Sequence, residues 1–172
     1  MNIIKSSRDE LIIDNINNLE ISFKENKKII KSKKKYLSYD EMLKNDFTRS
    51  EILFMKLNDE YIERTKGAGF TNLIDYVYNN VKLEDLDKII VEQNYVTING
   101  LPCYKEKVNT DTENLKGNVS HYHYFDHLNL SLCINRKGGI LLKEAMRVSK
   151  IFNLKLYLEI KLENNEILYY NS

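Results

Sequence analysis

Between Leu128 and Leu162 the apolar residues change period twice, and no other stretch restricts the fold as much. Leu128, Leu130, Leu132 and Ile134 alternate with Asn129, Ser131 and Cys133, the period of two of a strand with one buried face. Leu141, Leu142, Ala145, Val148 and Phe152 then recur at helical spacing, so a helix here should lay one apolar stripe on a sheet. Leu154, Leu156, Leu158, Ile160 and Leu162 restore the alternation, and Gly138-Gly139 supply the turn into the helix. Strand, helix and strand in this order predict a right-handed βαβ crossover with parallel strands. Ile167 to Tyr170, after the polar Glu163-Asn164-Asn165-Glu166, reads as a hairpin return.

Upstream the signals are mainly helical. Ser7-Arg8-Asp9-Glu10 is a capping box opening a helix to about Lys31, with Ile12, Ile16, Leu19 and Phe23 as its stripe. Ser38 to Glu41 and Thr48 to Glu51 repeat the start signal and predict helices at about 39–45 and 49–65. Gly67-Ala68-Gly69 ends the second, Thr71 caps a further helix through Leu73, Ile74, Val77 and Tyr78, and another follows from Leu83 to Glu92. Tyr95 to Ile98 followed by Asn99-Gly100 is a hairpin signal, with Pro102 confining the returning arm to an edge. Lys105 to Lys116 is polar and aperiodic and reads as a mobile loop. The expected architecture is therefore one α+β domain over 1–172: a helical N-terminal half, 1–92, packed on a small mixed sheet with one helix in 93–172 and one βαβ crossover near the C-terminus.

Composition limits the function. The chain has 26 Lys and Arg against 25 Asp and Glu, a net charge of +1, which argues against a wholesale polyanion-binding surface. A 42% hydrophobic content disfavours disorder. Cys103 and Cys133 are too few for a disulfide framework or, alone, a zinc site. No apolar run approaches a membrane span, and MNIIKSSRDELIID has no signal-peptide apolar region. The expectation is a cytoplasmic chain without a membrane partner.

His121, His123 and His127 are all the histidines of the chain. In an extended strand His121 and His123 share one face, opposite Tyr122 and Tyr124. With Asp126 and His127 at the strand end they form a candidate site for a divalent metal, the one cofactor this sequence suggests. As an enzyme, His121 or His123 would act as general base or acid in phosphodiester cleavage, assisted by Lys137. The string His121-Tyr122-His123-Tyr124-Phe125-Asp126-His127 resembles, with one residue inserted, the HxHxDH signature of metallo-β-lactamase-type hydrolases, which implies metal binding. The segment Gly117 to Gly139 resembles the histidine strand, second strand and helix of HicA-type RNA-cleaving toxins, which implies RNA cleavage.

The favoured reading is nevertheless a non-catalytic binding protein. Twelve tyrosines supply rigid amphipathic contact area, and Tyr122 and Tyr124 are the binding candidates beside Lys33, Lys34 and Lys35. The expected partner is a protein, in the manner of an inhibitor or immunity-type factor from a phage or mobile element that blocks a larger host complex. The run Lys27 to Lys35 leaves nucleic acid as a further partner, and a nuclease centred on His121 and His123 is the alternative.

Overall fold

The computed structural model describes residues 19–24, 27–32, 34–64, 67, 69–91 and 96–172, and the chain divides into two units, 1–35 and 36–172. In the first, β1 (Leu19–Lys24) and β2 (Lys27–Ser32) form an antiparallel hairpin with Leu19 opposite Ser32 and Lys24 opposite Lys27. The helix expected to run to Lys31 is thus corrected to two strands. Leu19, Ile21 and Phe23 alternate with Glu20, Ser22 and Lys24, and this period of two prevails over the helical stripe. The Ser7 capping box lies outside the described residues.

The second unit begins with β3 (Tyr36–Leu37) and α1 (Tyr39–Leu43). Here the capping box forms as the sequence predicts. The Ser38 hydroxyl accepts from the Glu41 amide, and the Glu41 carboxylate accepts from the Ser38 amide at 2.8 Å. The next start signal behaves differently. Asp46 Oδ1 accepts the Thr48 amide in a turn, and the chain continues as β4 (Glu51–Leu57) and β5 (Glu60–Tyr61). The predicted 49–65 helix is a hairpin whose turn is Asn58-Asp59, both at positive φ, 50° and 69°.

A bulge explains the misleading spacing. Phe54 pairs with Glu159 and Ile52 with Ile160, so Leu53 is the extra residue of β4. Ile52 and Met55 both reach the core although three residues apart, which imitates a helix.

α2 (Phe70–Asn79) follows, N-capped by Gly69 at φ 85° rather than by Thr71. A 3-10 helix (Leu83–Lys88) and β6 (Ile90–Val91) occupy the region read as a helix to Glu92. β7 (Val96–Thr97) pairs with β6, and the Asn99-Gly100 turn returns the chain so that Val96 bridges Pro102. β8 (Cys103–Tyr104) leads into the 105–116 loop, which is tied down. Ser131 Oγ accepts the Val108 amide at 3.1 Å and donates to the Glu106 carbonyl at 2.6 Å, and Tyr104 Oη donates to the Asn114 carbonyl at 2.8 Å. β9 (Tyr122–Phe125), β10 (Leu130–Cys133), α3 (Gly138–Ile151), β11 (Leu156–Lys161) and β12 (Ile167–Asn171) complete the chain.

Among the described residues the second unit has three sheets, the β6-β7 pair and two larger ones ordered β8-β10-β9 and β3-β12-β11-β4-β5. β10 and β11 therefore lie in different sheets, and the expected βαβ crossover is corrected. β11 is antiparallel to both β4 and β12, the latter being the predicted hairpin return. The helical N-terminal half is likewise overturned: the protein is mixed α+β with strands throughout. Its core is formed by α2 and α3, packed together, with the inner face of the five-stranded sheet. Leu142, Ala145 and Val148 of α3, Leu73, Ile74 and Val77 of α2, and Leu156, Leu158 and Ile160 of β11 are completely buried. Each large aliphatic side chain so buried contributes about 1.5–3 kcal/mol from transfer out of water. No helix among the described residues is long and apolar enough to cross a membrane.

Candidate protein-docking face

The histidines do not converge. His121 ends a 3-10 turn whose N-cap is Asn118; its Nδ1 accepts the Asn118 amide at 3.4 Å and its carbonyl accepts the Ile134 amide at 2.9 Å. His123, on β9, turns instead to α2, where its Nδ1 lies 3.7 Å from Asp75 Oδ1. Its ring packs on Phe125 at 4.6 Å between centroids. Burial raises the Asp75 carboxyl above its ordinary pKa, with the His123 charge acting in the opposite direction. Asp126 and His127 are exposed beyond the strand, in a separate 3-10 turn. Among the described residues no three His, Cys, Asp or Glu side chains are grouped to hold a metal ion.

Tyr122 and Tyr124 are half-buried and committed to their own loops. Tyr122 Oη donates to the Lys116 carbonyl at 2.8 Å and its ring meets Tyr104 edge-on at 5.5 Å. Tyr124 Oη donates to Asn129 Oδ1 at 2.9 Å. Lys137 N-caps α3 and borders an open groove of about 440 Å³ together with Asp46, Arg49 and Lys143. Lys34 and Lys35 are exposed at the end of the first unit, and Lys33 lies outside the described residues.

The outer face of the five-stranded sheet gathers the aromatic side chains that its inner face does not use. Alternation turns Leu156, Leu158, Ile160, Leu168 and Tyr170 inward, which leaves Tyr157, Glu159, Lys161 and Tyr169 outward. Register then sets Tyr36 beside Tyr169 and Tyr61 beside Lys56, while Lys56 faces Tyr157. The result is a continuous aromatic strip with one member from each strand. Tyr36 meets Tyr169 at 6.1 Å and Tyr157 at 6.0 Å, and Phe54 meets Tyr157 at 5.6 Å and Tyr61 at 5.4 Å. All but the Phe54–Tyr61 contact are edge-to-face, a favourable ring geometry worth roughly 0.5–1.5 kcal/mol per pair.

This strip is accessible and shares its face with Lys56, Glu159 and Lys161. Tyr61 is 56% exposed, Tyr36 46%, and the bulged Leu53 43%. Around the sheet, Arg49 pairs with Glu163, Arg64 with Glu51, and Lys155 with Asp59. Lys56 Nζ lies 5.7 Å from the Phe54 ring centroid. Sequence reading missed these five aromatics as a group. The available signal was the outward phase of each strand, Tyr157 among leucines and Tyr169 beside Leu168, but the phases become one surface only once the strands are paired.

Comparison with protein-family models, with curated proteins and with solved structures finds no match for this chain.

Proposed function

We propose that the protein acts by docking a protein partner on the outer face of its five-stranded sheet, as an inhibitor or immunity-type factor would. One observation carries this reading: five aromatic side chains, one from each strand, form a continuous strip that the second unit itself leaves half open to solvent. Rings with polar tips on a rigid sheet are suited to a protein interface, because they bury large area with little loss of rotamer freedom. Lys56, Glu159 and Lys161 stand on the same face as the rings, and the Tyr157 hydroxyl donates to Glu159, which favours a partner offering apolar side chains together with polar groups of both signs. A nucleic-acid strand would call for an excess of cations along the rings.

The test compares two folded variants in quantitative affinity purification. A partner held by the wild type and by the His121/His123/His127 triple alanine variant, but lost from Tyr36→Ala/Tyr157→Ala/Tyr61→Ala, supports the sheet face. Retention of the same partner by the aromatic variant rejects it.

A second reading, phosphodiester cleavage centred on His123, has the Asp75–His123 pair in its favour, since a carboxylate beside an imidazole can orient a general base. Nuclease activity that disappears in both His123→Ala and Asp75→Ala would support it; activity surviving both would remove it.

A further inference from the structure

The outer face of the five-stranded sheet holds, in one place, every kind of group that suits a partner for it. β11 is the middle strand, between β12 and β4, with β3 and β5 as the short edges. Register arranges the outward side chains in two neighbouring rows. One runs Asn171, Tyr157, Lys56 and Tyr61; the other runs Tyr36, Tyr169, Glu159 and Phe54. Each row carries rings and one charged side chain, and the two charges are opposite in sign.

That arrangement is complementary to its own two-fold image. When two copies lie face to face about an axis running across the strands between the rows, the Lys56 row of one covers the Glu159 row of the other, and symmetry repeats the match. Each Lys56 ammonium then comes over the Phe54 ring of the second copy and beside its Glu159. Within one copy Lys56 Nζ already lies 5.7 Å from the Phe54 ring centroid, and Glu159 accepts the Tyr157 hydroxyl. Rings from the two faces interdigitate as do the inner faces of a β-sandwich. Five strands about 4.8 Å apart and about six residues long span roughly 20 by 20 Å. Two copies therefore cover about 800 Å² of projected area, and more as the rings interlock, which places the pair at the low end of specific interfaces.

We infer that this face pairs with a second copy of the chain, in a weak isologous dimer where Lys56 of each copy meets Glu159 and Phe54 of the other. The pairing rests on the same reading of the outer face as an interaction surface. It adds regulation to that reading: a protein partner docks only by displacing the second copy, so docking weakens as the chain becomes more concentrated.

Sedimentation velocity of the whole chain across the micromolar range tests the pairing. A reversible monomer–dimer equilibrium is expected. K56E and E159K should each weaken it at least about tenfold, because each sets like charges together at two symmetric contacts. Mixed with one another the two variants should pair, since opposite charges then meet at both contacts, and their pairing also shows that both are folded. A wild type that stays monomeric throughout, a dimer indifferent to both reversals, or variants that keep the wild-type melting temperature yet fail to pair on mixing would overturn it. A monomeric wild type whose protein partner is still lost with the aromatic rings overturns the dimer and leaves the docking reading standing. A dimer that obeys the charge reversals while its protein partner ignores the rings supports the dimer and removes the docking reading.

Discussion

The Tyr78 hydroxyl donates to Glu144 Oε1 at 2.8 Å, joining α2 to α3 where both residues are completely buried. Glu144 also accepts from Asn99 Nδ2 at 2.8 Å and from Arg147 Nε and Nη2 at 3.1 and 2.6 Å, and Arg147 Nη2 reaches the Ile89 carbonyl at 2.8 Å. A carboxylate surrounded by four donors from three parts of the chain fixes the packing of both helices. Glu144→Ala should cost about 3–5 kcal/mol, because it leaves the Arg147 guanidinium buried and uncompensated. Tyr78→Phe, which keeps the stacking on Phe125 at 5.2 Å, should cost about 1–2 kcal/mol. Urea unfolding of the single and double variants measures both and their coupling.

Asp75 should be a stability lesion at neutral pH. Burial raises its folded-state pKa, so the folded form binds a proton more readily than the unfolded one. Stability from this group is present in full below the unfolded-state carboxyl pKa and is lost as pH rises through the folded-state value. Asp75→Asn is therefore expected to raise the melting temperature at pH 7 and to leave it nearly unchanged at strongly acidic pH. A fall at pH 7 would mean that the attraction to His123 outweighs desolvation.

Gly138 is required by close packing. A Cβ there would overlap the Phe70 ring at Cδ2, whereas at Gly139 the nearest atom, Phe47 Cβ, is 3.1 Å away. Gly138→Ala should destabilise by about 1–3 kcal/mol through overpacking between α2 and α3, and Gly139→Ala by less. Thermal unfolding of the two variants in parallel gives the comparison.

Cys103 should be inert in the folded protein. It is 2% exposed, and burial, with the nearby Glu144 charge adding to it, pushes its thiol pKa up to about 12. At pH 8 its thiolate is scarce and shielded. Alkylation is expected only at the rate of unfolding, with rapid modification in denaturant; fast labelling of the native chain would contradict the buried position.

Much of the local structure follows from short-range chemistry. The Ser38 box, the Asn99-Gly100 turn, the stripe of α3 and the β11–β12 return are each determined by residues within one or two turns of chain. The alternation of Leu130 and Leu132 likewise specifies a strand with buried leucines. It does not specify which sheet that strand joins, because burial of a face is satisfied by any apolar neighbour. Tertiary packing placed β10 between β8 and β9, and the 105–116 loop, hydrogen-bonded to Ser131, covers that residue on the face away from the leucines. Between Glu51 and Tyr61 the bulge at Leu53 disguised a strand as a helix, and Asn58 and Asp59 turn the chain at positive φ. The aromatic face is the furthest from local control. Tyr36, Phe54, Tyr61, Tyr157 and Tyr169 are unremarkable singly, and they adjoin because hydrogen-bonded registers bring together strands as much as 133 positions apart, from Tyr36 to Tyr169. The sequence by itself determined which residues seek burial; strand pairing decided which of those left outside would stand together.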